Sequence, residues 1–157
     1  MTVSAAPAIA DPSRFISDLR SRRHDGVLCE LVDAAVSAGA VRARQALLEI
    51  LKLRDRVLPS AVVRDAVLIG ARSLAVTRPF LAVGRSERGV AWGGPASDAE
   101  PVHLVVLALA PAEWSEDLFH AFLGRAGALV RLQRQRQRLV AAGSEQLLAA
   151  LMREVGA

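Results

Sequence analysis

Apolar residues recur at two periods along this chain, helical towards both ends and strand-like in the middle. Leu28, Leu31, Val32, Ala35 and Val36 share one helical face and predict a helix over 25–38, capped by Asp25 and stopped by Gly39. A second helix is predicted over 42–56, with Leu47, Leu48, Ile50 and Leu51 as its apolar face and Pro59 as its end. Ahead of both, Phe15, Ile16 and Leu19 fit a short strand or a turn of helix. The period then changes. Residues 66–69, 79–84 and 101–109 are apolar runs with Gly or Pro at their borders, and they read as strands, with Gly93-Gly94-Pro95 as a turn before the last. The run 101–109 is almost continuously apolar, which predicts a central strand buried on both faces. Beyond Pro111, Ser115 is placed to cap a helix running to Leu132. The polar stretch 133–138 interrupts that helix, which resumes to Ala142; Gly143 breaks it, and Ser144 caps a last helix over 145–155. Helices, then strands, then helices predict a single α/β domain with a mixed central β-sheet flanked by helices. Residues 1–10 read as a disordered leader and 11–157 as the domain.

Composition narrows the picture. The chain has 157 residues, 52% hydrophobic and 23% charged, which suits one globular domain and excludes a disordered chain. Only 4% are aromatic and there is no Tyr, so the core must be aliphatic. The net charge of +4 is carried almost wholly by Arg, Lys52 being the single lysine, and the abundance of Ala beside it points to coding bias more than to a nucleic-acid partner. One cysteine, Cys29, excludes an internal disulfide and a cysteine-based metal cluster, and its flanks read as a buried helix face. The most apolar stretch, 102–112, is too short to span a bilayer, and residues 1–10 lack the basic region of a signal peptide. A cytoplasmic protein without metal or other cofactor is expected.

Three histidines are available for chemistry. His24 falls in a polar turn and reads as solvated. His103 interrupts the apolar strand and reads as a hydrogen-bonded core residue. His120 lies on a helix beside Phe119 and Phe122. No two of them have metal-ligand spacing. The arginines Arg131, Arg134, Arg136 and Arg138 alternate with glutamines. On one continuous helix Arg131, Arg134 and Arg138 share a face, which reads as solvated, or as a basic stripe able to meet phosphates. No aromatic platform accompanies it.

Several segments in this order point to a family. They are Cys29-Glu30-Leu31-Val32-Asp33, Ala46-Leu47-Leu48-Glu49, Arg78-Pro79-Phe80-Leu81-Ala82-Val83-Gly84 and Gly89-Val90-Ala91-Trp92-Gly93. Pro101-Val102-His103-Leu104-Val105, Leu107-Ala108-Leu109-Ala110-Pro111 and Leu139-Val140-Ala141-Ala142-Gly143-Ser144-Glu145-Gln146-Leu147-Leu148 complete them. Together, over residues 11–155, they resemble the type 2 enzyme IIA domains of the bacterial sugar phosphotransferase system, the mannitol/fructose class with its nitrogen-regulatory branch. The resemblance implies that fold. It also implies an activity, passage of a phosphoryl group from a carrier protein to a sugar-transporter domain through a phosphohistidine at the end of a short strand. The family pattern there, a glycine-rich turn and then Ile-Pro-His-Ala-Arg, falls on Leu68-Ile69-Gly70-Ala71-Arg72 when counted back from Arg78-Pro79. The arginine is present as Arg72, but Gly70 stands at the phosphoacceptor position. Ser60-Ala61-Val62-Val63-Arg64-Asp65 replaces the glycine-rich turn. The family's second histidine aligns with Leu118, two residues before His120. No histidine lies between His24 and His103, so no shift of register supplies one. A nucleophile and a backbone cradle for phosphate are both needed for phosphohistidine chemistry. The expectation is therefore a regulatory or protein-interaction domain without histidine phosphotransfer, meeting a phosphotransferase-system carrier protein or a regulatory target around Gly70, Arg72, Leu118 and His120. The alternatives are an active phosphocarrier using His120 or His103 and, more weakly, a nucleic-acid-binding module working through the run from Arg131 to Arg138.

Overall fold

Alternate residues of the strand Val102–Pro111 face opposite sides of a sheet, and both sides are apolar. Val105, Leu107 and Leu109 enter one core; Leu104, Val106, Ala108 and Ala110 enter another. That double burial requires a layer of helices on each face. The computed structural model, which describes residues 13–57, 62–63, 65–92, 101–142, 144, 146–148 and 150–151, supplies both layers. In chain order the elements are β1 (Ser13–Ile16), α1 (His24–Ser37), α2 (Arg44–Val57), β2 (Val62–Val63), β3 (Ala66–Ser73), β4 (Phe80–Val90), β5 (Val102–Pro111), α3 (Glu116–Arg131) and α4 (Gln133–Ala142). The sheet order is β1-β4-β5-β3-β2. The β1–β4 and β3–β5 pairs are parallel, and the β4–β5 and β2–β3 pairs antiparallel, so the expected mixed sheet is present with β5 at its centre. Helices α1 and α2 cover one face, and α3, α4 and the helical residues 146–148 and 150–151 cover the other. The leader at 1–10, the turn at 93–95, Pro59 and Gly143 lie outside the described residues.

Local signals account for most boundaries. Gly39, at φ 77°, ends α1 in a left-handed conformation, and Ala40 N–H reaches back to the Ala35 carbonyl at 2.9 Å, closing the helix end. Ser115 Oγ accepts from Leu118 N–H at 3.1 Å and starts α3; Ser144 Oγ does the same for Leu147 N–H at 3.1 Å. Three expectations are corrected. Asp25 is not the cap of α1: Arg23 occupies that position without a side-chain hydrogen bond, and Asp25 accepts from His24 Nδ1 inside the first turn. Ile50 does not join the buried face of α2: it is 39% exposed, whereas Leu47, Leu48 and Leu51 are buried. The polar stretch 133–138 is helical, forming most of α4, because burial of Leu139 and Arg136 holds a segment whose own pattern is weak.

Strand β4 also runs well past Gly84. An irregularity between Arg85 and Val90 bends it, with Gly89 at φ 91° and its N–H donated to Ser86 Oγ at 3.1 Å. A side chain at Gly89 would collide with Pro101, its Cβ lying 2.5 Å from the proline Cβ. This bend brings the Ser86 carbonyl against the start of β5.

Candidate functional site

Strand β3 is paired with β5 along its whole length, but among the described residues β2 covers its other side only at Ala66 and Val67. Beyond them the outer backbone of β3 needs other partners. Arg54 of α2 supplies one, donating from Nη1 to the Gly70 carbonyl at 3.0 Å. The two-residue period turns Leu68, Gly70 and Arg72 towards α3, and Ile69 and Ala71 towards α1 and α2. Gly70 brings no side chain to that face. A Cβ placed there would lie 2.3 Å from Leu123 Cδ2, so the leucine from α3 occupies the space a side chain at 70 would need.

Arg72 is half-buried beside it. Its Nη1 donates to the Trp114 carbonyl at 2.7 Å, and its guanidinium carbon lies 5.7 Å from the centre of the Phe119 ring. Phe119 is the first residue of α3 to pack on this core after the Ser115 cap sets the helix direction. Leu118, where the resemblance puts a second histidine, is half-buried. Two guanidiniums from different elements, Arg54 and Arg72, thus meet one strand end. Sequence reasoning found Arg72 and missed Arg54, which looks like any other charge on the polar face of α2.

The histidines sit elsewhere. His120 is exposed on α3, its ring 6.4 Å from that of Phe119. His103 stands at the start of β5, whereas Arg72 pairs with Ala110 near its end; the length of strand between them is about 23 Å at the usual rise. His103 is half-buried, and its Nδ1 donates to the Ser86 carbonyl at 2.8 Å, as a hydrogen-bonded structural histidine should. His24 is not the solvated residue expected: its side chain is 19% exposed, with its ring 4.5 Å from that of Trp92. Cys29 is half-buried and packs against the core beneath α1 and α2.

The arginine run does not form one stripe. Backbone at Leu132 is extended (ψ 108°), so Arg131 closes α3 and the others belong to α4. Arg131 folds back on its own helix, donating to the Gly127 and Gly124 carbonyls, each at 3.4 Å. Arg136, which the helical spacing left off the shared face of Arg131, Arg134 and Arg138, has a side chain only 5% exposed. Its Nη1 donates to the Val130 carbonyl at 2.7 Å and its Nε lies 3.4 Å from Asp65 Oδ1. The alternation of Gln and Arg hid this residue, because its acidic partner lies in a distant part of the sequence.

Among the described residues, no helix is long and apolar enough to cross a membrane. Comparison with known proteins agrees with the geometry. The family model described as "Phosphoenolpyruvate-dependent sugar phosphotransferase system, EIIA 2" matches residues 9–154. The fructose-specific EIIA component of Haloferax volcanii is 30% identical over 131 residues, 83% of this chain and 83% of that protein. The fructose-specific EIIABC component of Bacillus subtilis is 27% identical over 128 residues, 82% of this chain but only 20% of that much longer protein. Nitrogen regulatory protein IIA-Ntr from Neisseria meningitidis superposes with a TM-score of 0.74 at 16% identity, over 91% of this chain and 97% of that one. Enzyme IIAMtl of Escherichia coli, solved in complex with phosphorylated enzyme IIBMtl, gives a TM-score of 0.63 at 12% identity, over 90% of this chain and 94% of that one. The sheet order, the helices on its two faces and the matched span together make this chain a member of the EIIA 2 family of the phosphoenolpyruvate-dependent sugar phosphotransferase system.

Proposed function

We propose that this EIIA-type domain acts in the cytoplasm by binding other proteins and does not itself carry a phosphoryl group. Gly70 is the observation that carries this reading. Counted from Arg78-Pro79, the family's phosphoacceptor histidine falls on a residue without a side chain. An enzyme-bound phosphoryl group requires a nucleophilic atom held in line, and glycine offers none. Two further features support it. Leu123 fills the space in front of Gly70, and Arg72 is committed to the Trp114 carbonyl and the Phe119 ring. With Arg54 on the Gly70 carbonyl, the strand end presents positive charge suited to an anionic group on a partner. The partner is a protein of the phosphotransferase system or a regulatory target, as enzyme IIAMtl meets enzyme IIBMtl in the solved complex.

One observation favours phosphotransfer on another histidine: His120 is exposed. Against it, His120 is directed away from the face that Phe122 and Ala126 bury, and His103 lies at the far end of β5. The test is incubation of the intact chain with phosphoenolpyruvate and the phosphocarrier cascade, followed by peptide mass spectrometry under conditions that preserve phosphoramidates. The expected result is no phosphohistidine at positions 24, 103 or 120 while the chain still binds a carrier. A phosphohistidine at any of them overturns the reading.

A further inference from the structure

The outer face of α2 keeps an apolar seam that the core does not use. Leu53 is 60% exposed and Ile50 39%, and the exposed Ala46 stands one turn before Ile50. Steps of four and three residues put these three on one side of the helix, while the buried Leu47, Leu48 and Leu51 hold the other. Glu49 flanks the seam on one side and Arg54 on the other, and both are exposed. We propose that this face pairs with the same face of a second copy of the chain, the two α2 helices lying parallel about a two-fold axis that runs along them. The inference goes beyond the reading of Gly70 and is measured independently of it; Arg54 is the one residue the two have in common.

Apolar residues exposed singly need no explanation, but a seam at this spacing does. What identifies the occupant is that the face is complementary to itself. In a parallel pair Ile50 meets Ile50 and Leu53 meets Leu53, and a β-branched residue followed three positions later by leucine is the arrangement that favours two strands. The small Ala46 lets the helices approach closely. The charges then select the orientation. A two-fold axis along the helices brings the Glu49 flank of one copy to the Arg54 flank of the other, and a separation of five residues is the one at which flanking charges reach across such a pair. An antiparallel pair would set Glu49 flank against Glu49 flank and Arg54 flank against Arg54 flank. Both groups are available for the contact. Arg54 Nη1 is on the Gly70 carbonyl, which anchors the side chain and leaves the donors of Nε and Nη2. The Glu49 carboxylate accepts from Gln45 Nε2 at 3.5 Å, a long and weak bond. Because α2 is already folded on its own sheet, pairing carries no cost of forming the helix. The seam is short, so the buried area is at the low end for specific interfaces and a Kd of about 100 µM is expected.

The test is sedimentation velocity of the intact chain from about 5 µM to about 500 µM, where the expected Kd gives a transition from monomer to dimer. Leu53→Asp, at an exposed position, should leave the circular dichroism spectrum unchanged and the chain monomeric throughout. Glu49→Arg and Arg54→Glu should each weaken self-association about tenfold, because like charges then face each other across the seam. An equimolar mixture of these two variants should recover dimer formation, since every flanking pair is again of opposite sign. Any of three outcomes overturns the proposal: a monomer at every concentration, which would leave the face to a different partner; a dimer that persists in Leu53→Asp; or a mixture of the two charge variants that associates no better than either alone.

Discussion

The two ends of β3 carry opposite kinds of chemistry. At the carboxyl end, where the family resemblance puts the reacting histidine, the chain has Gly70 and two arginines held by backbone carbonyls. At the amino end, preceding β3, it has a half-buried histidine, a buried arginine paired with an aspartate, and a cavity. The same sheet and the same helices support both, so fold alone did not decide which end keeps titratable groups. What differs is the neighbouring side chain. Leu123 seals the space beside Gly70, whereas the bend of β4 at Gly89 and the helix break at Leu132 leave the other end open and polar.

That contrast can be broken by mutation. Arg136→Ala should give the largest loss, about 3 kcal/mol in urea unfolding, because a buried guanidinium leaves the Val130 carbonyl and the Asp65 carboxylate without their partner. The figure stays below the upper range for buried pairs because water can reach Asp65. An intermediate effect is expected for Gly70→His, which should cost about 1–3 kcal/mol by forcing Leu123 aside; adding Leu123→Ala should relieve that clash, and failure to relieve it would show that the leucine is not the obstacle. Arg72→Ala should cost about 1–2 kcal/mol, through the Trp114 carbonyl and the Phe119 ring. The smallest effect is predicted for Arg54→Ala, less than about 1 kcal/mol, since its side chain is exposed. If Arg72→Ala destabilised as much as Arg136→Ala, the two ends would be equally structural and the contrast would fail. Carrier binding measured on the same arginine variants sharpens it: weakened binding is expected for Arg54→Ala and Arg72→Ala, and unchanged binding for Gln137→Trp, beside the cavity at the other end.

Much of the scaffold was legible because its signals are local. A continuous apolar run identified β5, Gly39 marked the end of α1, and Ser115 and Ser144 occupied caps that need only their own neighbours. The errors arose where distant partners decide. Helix α4 reads as polar and broken until Asp65 and the second core meet Arg136 and Leu139. His24 reads as solvated until Trp92 packs on its ring. Strand β4 reads as ending at Gly84, because its later residues include the exposed Glu87 and Arg88. At the candidate site Gly70 and Arg72 could be placed by counting, but neither Leu123 nor Arg54 could. Nothing in the helical pattern says which strand residue a leucine or an arginine will reach.

An EIIA-family domain without a phosphohistidine of its own should keep its mass when the phosphocarrier cascade runs beside it. The direct measurement is the intact mass of wild type beside His120→Ala after equal exposure to phosphoenolpyruvate and the phosphocarrier cascade, with the carrier's own phosphorylation as the internal control. An unchanged mass is expected for both chains while the carrier is fully phosphorylated. A phosphoryl adduct on wild type that disappears in His120→Ala would contradict it.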